Sequence, residues 1–92
     1  MNSYMYILEY CDGSFYTGST QNIETRLAQH ENGKGATFTA SRLPVKLVYH
    51  EEYERIDEAF SREKQIQGWT RAKKLALIQG EFDQLSALSK ST

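Results

Sequence analysis

Ninety-two residues with 39% hydrophobic and 25% charged content make one domain, with room for one sheet layer, one helical layer and a surface site. One proline and six glycines exclude collagen-like repeats and give no compositional case for disorder. The formal charge of −1, the lack of a long apolar run and the single cysteine, Cys11, exclude a uniformly basic nucleic-acid binder, a signal peptide or membrane span, an internal disulfide and a cysteine-paired zinc site.

Tyr4 to Tyr10 is rich in aromatic and aliphatic residues, and Phe15 to Thr20 follows it across Cys11-Asp12-Gly13-Ser14. That pattern predicts a β-hairpin turning at Asp12-Gly13, with Cys11 a small residue at a strand end. Asn22 is placed to cap a helix in which Ile23 and Leu27, and likewise Arg26 and His30, stand four apart and share a face. Asn32-Gly33-Lys34-Gly35 ends that helix and opens a loop to Pro44, long enough to be functional. A third strand is expected over Val45 to Tyr53, paired with the hairpin and closed by the charged run Glu51 to Arg55. From Asp57 the spacing of Ala59, Phe60, Glu63, Ile66 and Gln67 predicts a helix that stops at Gly68. Thr70 then caps a short basic helix ended by Gly80, and Trp69 between the two helices is read as core.

The fold class expected is α/β of the α+β type: a small three-stranded, mainly antiparallel sheet flanked by helices in the order β-β-α-β-α-α. The domain spans residues 1–80, and residues 81–92 form a partly ordered tail. A cytoplasmic protein is expected. Because the net charge is near zero, any nucleic-acid role requires an uneven charge distribution, and Lys34, Arg42, Lys46, Arg62, Lys64, Arg71, Lys73 and Lys74 do fall in the middle and second half.

Tyr4-Met5-Tyr6 on the first strand and Tyr16-Thr17-Gly18 on the second, ten residues after Tyr6, resemble the two-tyrosine signature of the GIY-YIG endonucleases. The likeness runs from about Tyr4 to Ile78. It takes in Asp12-Gly13-Ser14, Arg26-Leu27-Ala28-Gln29-His30, Pro44 to Tyr49 and Arg62-Glu63, and is strongest to the small stand-alone bacterial UPF0213 subgroup. Tyr4 stands where the family name has glycine, Thr17 where it has isoleucine, and Ser19 where some relatives carry a lysine.

What the resemblance implies is metal-dependent endonucleolytic cleavage of DNA, including structured or damaged DNA met in repair or recombination. Tyr6, Tyr16, Arg26, His30 and Glu63 would form the catalytic set. Glu63 would be the single protein ligand of one Mg²⁺ or Mn²⁺ ion, a hard cation that commonly uses only one or two carboxylates. Arg26, a planar and permanently charged fork, would contact two oxygens of the scissile phosphate. Tyr16 would activate the attacking water, or Tyr6 would do so through His30, which can take a proton or contact phosphate; the residue pattern leaves both assignments open.

Lys34, Thr37, Thr39 and Arg42 in the loop, and Arg71, Lys73 and Lys74 in the last helix, are the expected nucleic-acid contacts. Many family members add a separate DNA-binding domain. None is recognised within these residues, so weak or partner-assisted substrate binding is expected. Two other readings use the same scaffold: a catalytically silent nucleic-acid-binding or adaptor module, and a protein-interaction domain.

Overall fold

A computed structural model describes residues 2–31 and 44–80. Its elements follow the expected order: β1 (Ser3–Tyr10), β2 (Phe15–Thr20), α1 (Ile23–Glu31), β3 (Val45–Tyr53), α2 (Ile56–Gln67) and α3 (Arg71–Gln79). The expected loop from Asn32 and the tail from Glu81 lie outside the described residues. No described helix is long and apolar enough to cross a membrane.

β1 lies at the centre of the sheet, between β2 and β3, and pairs antiparallel with both. Successive strand residues point to opposite faces, so a strand covered on both sides needs apolar residues at both parities. β1 has them. Met5 and Ile7 join Ile66 of α2 and Leu77 of α3 in one core cluster, while Tyr6, Leu8 and Tyr10 join Val45, with Ile23 and Leu27 of α1 packed against them. The helices are thus divided between the two faces, where length alone suggested one helical layer. A second layer follows from the double-sided burial of β1.

Local chemistry fixes the joints. At the hairpin, Asp12 Oδ1 accepts hydrogen bonds from the Ser14 amide at 3.0 Å and the Ser14 hydroxyl at 2.6 Å, and Gly13 takes φ 84°, a left-handed conformation that glycine adopts without steric cost. Asn22 Oδ1 accepts from the Thr25 amide at 3.0 Å, capping α1 as expected. Thr70 Oγ1 caps α3 by accepting from the Lys73 amide at 3.2 Å, and Gly80 closes that helix with φ 76°.

As expected, β3 spans Val45–Tyr53 and ends inside the charged run. Ile7 pairs with Tyr49 and Leu8 with Leu47, so Val48 is the extra residue of a bulge that brings Tyr49, Glu51 and Tyr53 onto the α2 face. There Glu51 is satisfied by the hydroxyls of Tyr49 and Tyr53, each at 2.6 Å, and by Arg62 Nε at 2.9 Å and Nη2 at 3.2 Å. Phe60, grouped by spacing with the buried positions of α2, is 49% exposed; the buried stripe is Ala59, Glu63 and Ile66. Those three stand four and three residues apart, one narrow helical face, and Phe60 lies beside it under the Lys64 ammonium, 4.9 Å from its ring centroid. Trp69 is half-buried against the Met5 cluster, with Arg62 and Lys73 over its ring at 5.2 and 4.4 Å.

Candidate active site

Tyr6 is paired directly with Gly18 on β2. With no side chain at residue 18, the Tyr6 ring lies across that strand: a Cβ there would be 2.5 Å from the phenolic oxygen. On the same face, α1 delivers His30, which is fully buried. The Tyr6 hydroxyl and His30 Nε2 are hydrogen-bonded at 3.4 Å, and the Tyr16 ring packs edge-on to His30 with centroids 5.0 Å apart. Tyr16 also lies 6.4 Å from the Tyr6 ring and 6.4 Å from that of Tyr10. The result is an aromatic cluster, which Tyr6 and His30 enter from the interior and half-buried Tyr16 borders on the surface side.

Burial holds the Tyr6 phenol well above its usual range, and neighbouring Tyr16 adds to that; Arg26 opposes the shift, while Glu63 and Tyr10 reinforce it. Burial, aided by the Arg26 charge, lowers the His30 pKa. Near neutral pH the pair is therefore a neutral phenol bonded to a neutral imidazole. The opposing influences of Arg26 and Glu63 on one hydroxyl show that a guanidinium of α1 and a carboxylate of α2 both lie within electrostatic reach of Tyr6.

Glu63 approaches from the other face of the sheet. Its side chain is anchored to β2: Ser19 Oγ donates to Oε1 at 2.6 Å, and Gln67 Nε2 donates to Oε2 at 2.9 Å and to the Thr17 carbonyl at 3.3 Å. Lys64 Nζ stands 3.7 Å from Oε2. The backbone explains the Gln67 contact. Because the Tyr10 amide bonds the Ser14 carbonyl, hydrogen-bonded pairs fall at Tyr10–Ser14 and every second pair beyond, and the alternation leaves Phe15, Thr17 and Ser19 with N–H and C=O turned outward from β1. β2 is an edge strand, so these groups face a helix side chain or solvent.

The site is thus assembled around the edge of β2, with Tyr6, Tyr16, Arg26 and His30 on the α1 side and Glu63, Ser19 and Gln67 on the α2 side. Among the described residues no three His, Cys, Asp or Glu side chains cluster. A lone carboxylate still suits Mg²⁺, which fills its shell with water and substrate oxygens: among the described residues each Glu63 oxygen accepts one hydrogen bond, leaving a lone pair on each.

Of the expected nucleic-acid contacts, Lys34, Thr37, Thr39 and Arg42 lie outside the described residues. Arg71 donates to the Gly13 carbonyl at 2.7 Å and sits 4.6 Å over the Phe15 ring, tying α3 to the hairpin. Lys73 covers Trp69. Lys74 lines a cleft with Tyr16, Thr17 and Gln67, beside the Glu63 anchor. Spacing could have indicated Gln67, four residues after Glu63 on the same helical face; Gly18 and Ser19, in and beside the Tyr16-Thr17-Gly18 motif, act through strand register.

Residues 2–76 match the model of the GIY-YIG catalytic domain, and the chain belongs to the GIY-YIG family. Within it, the chain is similar to UPF0213 proteins: 48% identical to one from Staphylococcus saprophyticus over 82% of this chain and 92% of that one, and 46% identical to one from Staphylococcus epidermidis over 83% and 93%. The solution NMR structure of a UPF0213 protein from Bacillus halodurans superposes with a TM-score of 0.56 at 40% identity, covering 86% of this chain and 84% of that one.

Proposed function

We propose that this domain acts on nucleic acid and that the β2-edge site hydrolyses DNA phosphodiester bonds with a divalent cation. One observation carries the reading: the Glu63 carboxylate is held at the same strand edge as the Tyr6–Tyr16–His30 cluster, and both Glu63 and Arg26 act on the Tyr6 hydroxyl. In this reading the Arg26 guanidinium neutralises charge on the phosphoryl oxygens. Tyr16, at the surface side of the cluster, would as its phenolate take the proton of the attacking water while the water oxygen bonds to phosphorus and the ester oxygen leaves. Tyr6, kept protonated by burial, orients the water or phosphate together with His30. Glu63 would hold Mg²⁺ or Mn²⁺, which when bound supplies Lewis-acid stabilisation of the phosphoryl charge.

A second reading, a nucleic-acid-binding module without catalysis, is favoured by the near-zero net charge and by the three side chains already on Glu63. A protein partner would then supply the missing affinity. Incubation of the purified protein with plasmid, branched and single-stranded DNA, in Mg²⁺, in Mn²⁺ and in chelator, separates the two. Cutting that needs the cation and disappears in both Glu63→Ala and Tyr16→Phe supports hydrolysis; binding without cutting, unchanged in Glu63→Ala, supports the module.

A further inference from the structure

The cleft at the outer edge of β2, about 320 Å³ in volume, is bounded by Phe15, Tyr16, Thr17, Gln67 and Lys74. It adjoins the catalytic candidates on two sides. Tyr16 is shared with the aromatic cluster, and the Gln67 amide in its wall is the group that bonds Glu63 Oε2. Three features of the cleft suit an anion. The Lys74 ammonium makes no ion pair or hydrogen bond among the described residues, whereas its basic neighbours Arg71 and Lys73 are committed to Gly13 and Trp69. Thr17 turns its backbone N–H outward on the same edge as the carbonyl that Gln67 contacts, as the pairing alternation requires. Finally, Thr17 is 7% exposed and its hydroxyl has no hydrogen-bond partner among the described residues, an arrangement that costs about 1–3 kcal/mol in a folded interior.

We infer that this cleft is the seat of the phosphate next to the one being cut, held by the Lys74 ammonium and the Thr17 amide N–H. It rests on the proposed action on DNA and refines it. A fixed backbone donor with one mobile cation is a common way to place a nucleic-acid backbone without reading its sequence. On a chain with no net positive charge, a cation at this position concentrates the attraction where the strand must lie. The cleft also gives the strand a direction: it passes from Lys74 over Tyr16 toward Arg26, around the β2 edge.

The test is binding of a fluorescein-labelled oligodeoxynucleotide in chelator, measured by anisotropy over a series of salt concentrations, for wild type, Lys74→Gln and Lys46→Gln. Lys46, on β3, carries the same charge but is paired with Glu9 of β1 at 3.4 Å, away from the cleft. Loss of one phosphate contact lowers the slope of log K against log salt by about 0.7–0.9, and that decrease is expected for Lys74→Gln and not for Lys46→Gln. Amide NMR provides the second reading: the Thr17 N–H resonance should shift on adding oligonucleotide to wild type and shift less in Lys74→Gln. A Lys74→Gln slope equal to wild type, or a Thr17 amide indifferent to oligonucleotide, overturns the seat even when wild type binds and cuts normally. Absence of wild-type binding at every salt concentration overturns the seat and the proposed function together.

Discussion

Tyr6 crosses β2 at Gly18, and the fit between them leaves no space for a methyl group: an added Cβ would meet the phenolic oxygen at 2.5 Å and the carbon bearing it at 2.7 Å. Tyr6 is buried and its ring is stiff, so the ring must swing away from His30 or the strand must bend. Gly18→Ala should therefore destabilise the fold by about 1–3 kcal/mol, the usual cost of overpacking a core, and should reduce cleavage by more than the unfolded fraction explains. Denaturant unfolding and initial cleavage rates of the folded protein, measured side by side, check this.

Tyr6 and Tyr16 should respond differently to loss of the hydroxyl. Burial raises the Tyr6 pKa and keeps its phenol protonated near neutrality, which suits a donor and not a base. Tyr16→Phe is expected to lower the cleavage rate by at least about 100-fold, the lower range of general-base contributions, and Tyr6→Phe by about 10-fold. Single-turnover rates of the two variants are the check, and a larger loss in Tyr6→Phe would reverse the assignment.

The dependence of stability on pH has a definite sign at each end. His30 has a lowered pKa in the fold, so on acidification the unfolded chain takes up that proton first. The contribution of His30 is complete above the unfolded value of about 6.5 and is lost as pH falls below it. Glu51 is also lowered, its own burial being outweighed by Arg62, Tyr49 and Tyr53, and adds a second loss below about 4.5. Tyr6, Tyr49 and Tyr53 are raised chiefly by burial, Tyr53 to about 12, so the unfolded chain ionises first and stability declines above about 10. Tm measured across pH should show a plateau between these limits, and His30→Gln should remove the acid step near pH 6 while leaving the one near pH 4.

The Glu51–Arg62 pair belongs to the scaffold and not to the site. Removing Arg62 leaves a partly buried carboxylate with two phenols and, among the described residues, no cation. Arg62→Ala should cost about 1–3 kcal/mol, below the range for fully buried pairs because these side chains keep 24% and 19% of their exposure. Cleavage by the folded fraction should be unchanged. A chemical-denaturation curve and an activity normalised to folded protein measure the two effects separately.

Local signals in the chain were enough for most of the fold. Apolar residues at both parities in Tyr4 to Tyr10, the Asp12-Gly13 turn, the Asn22 and Thr70 caps and the Gly80 stop each rest on contacts within a few residues. Features set by distant pairing were not legible. The bulge at Val48 turns Glu51 inward toward Arg62, eleven residues later, and no periodicity in Val45 to Tyr53 announces it. Phe60 fitted a helical spacing, yet the buried stripe of α2 is only wide enough for Ala59, Glu63 and Ile66. At the site, the spacing of Arg26 and His30 placed both on one face of α1, but only sheet register brings Ser19 to Glu63 across 44 residues of sequence. The bond of Arg71 to Gly13 likewise spans 58 residues.

In the proposed function Glu63 seats a divalent ion at the β2 edge, beside the tyrosine cluster. Titration of isotopically labelled protein with Mn²⁺, followed by paramagnetic broadening of backbone amides, tests it most directly. Broadening centred on Gly18, Ser19, Glu63 and Gln67, spreading to Tyr16 and abolished in a folded Glu63→Gln variant, is the expected result. Broadening that persists in Glu63→Gln, or that centres on the Glu51–Arg62 side of the domain, would contradict it.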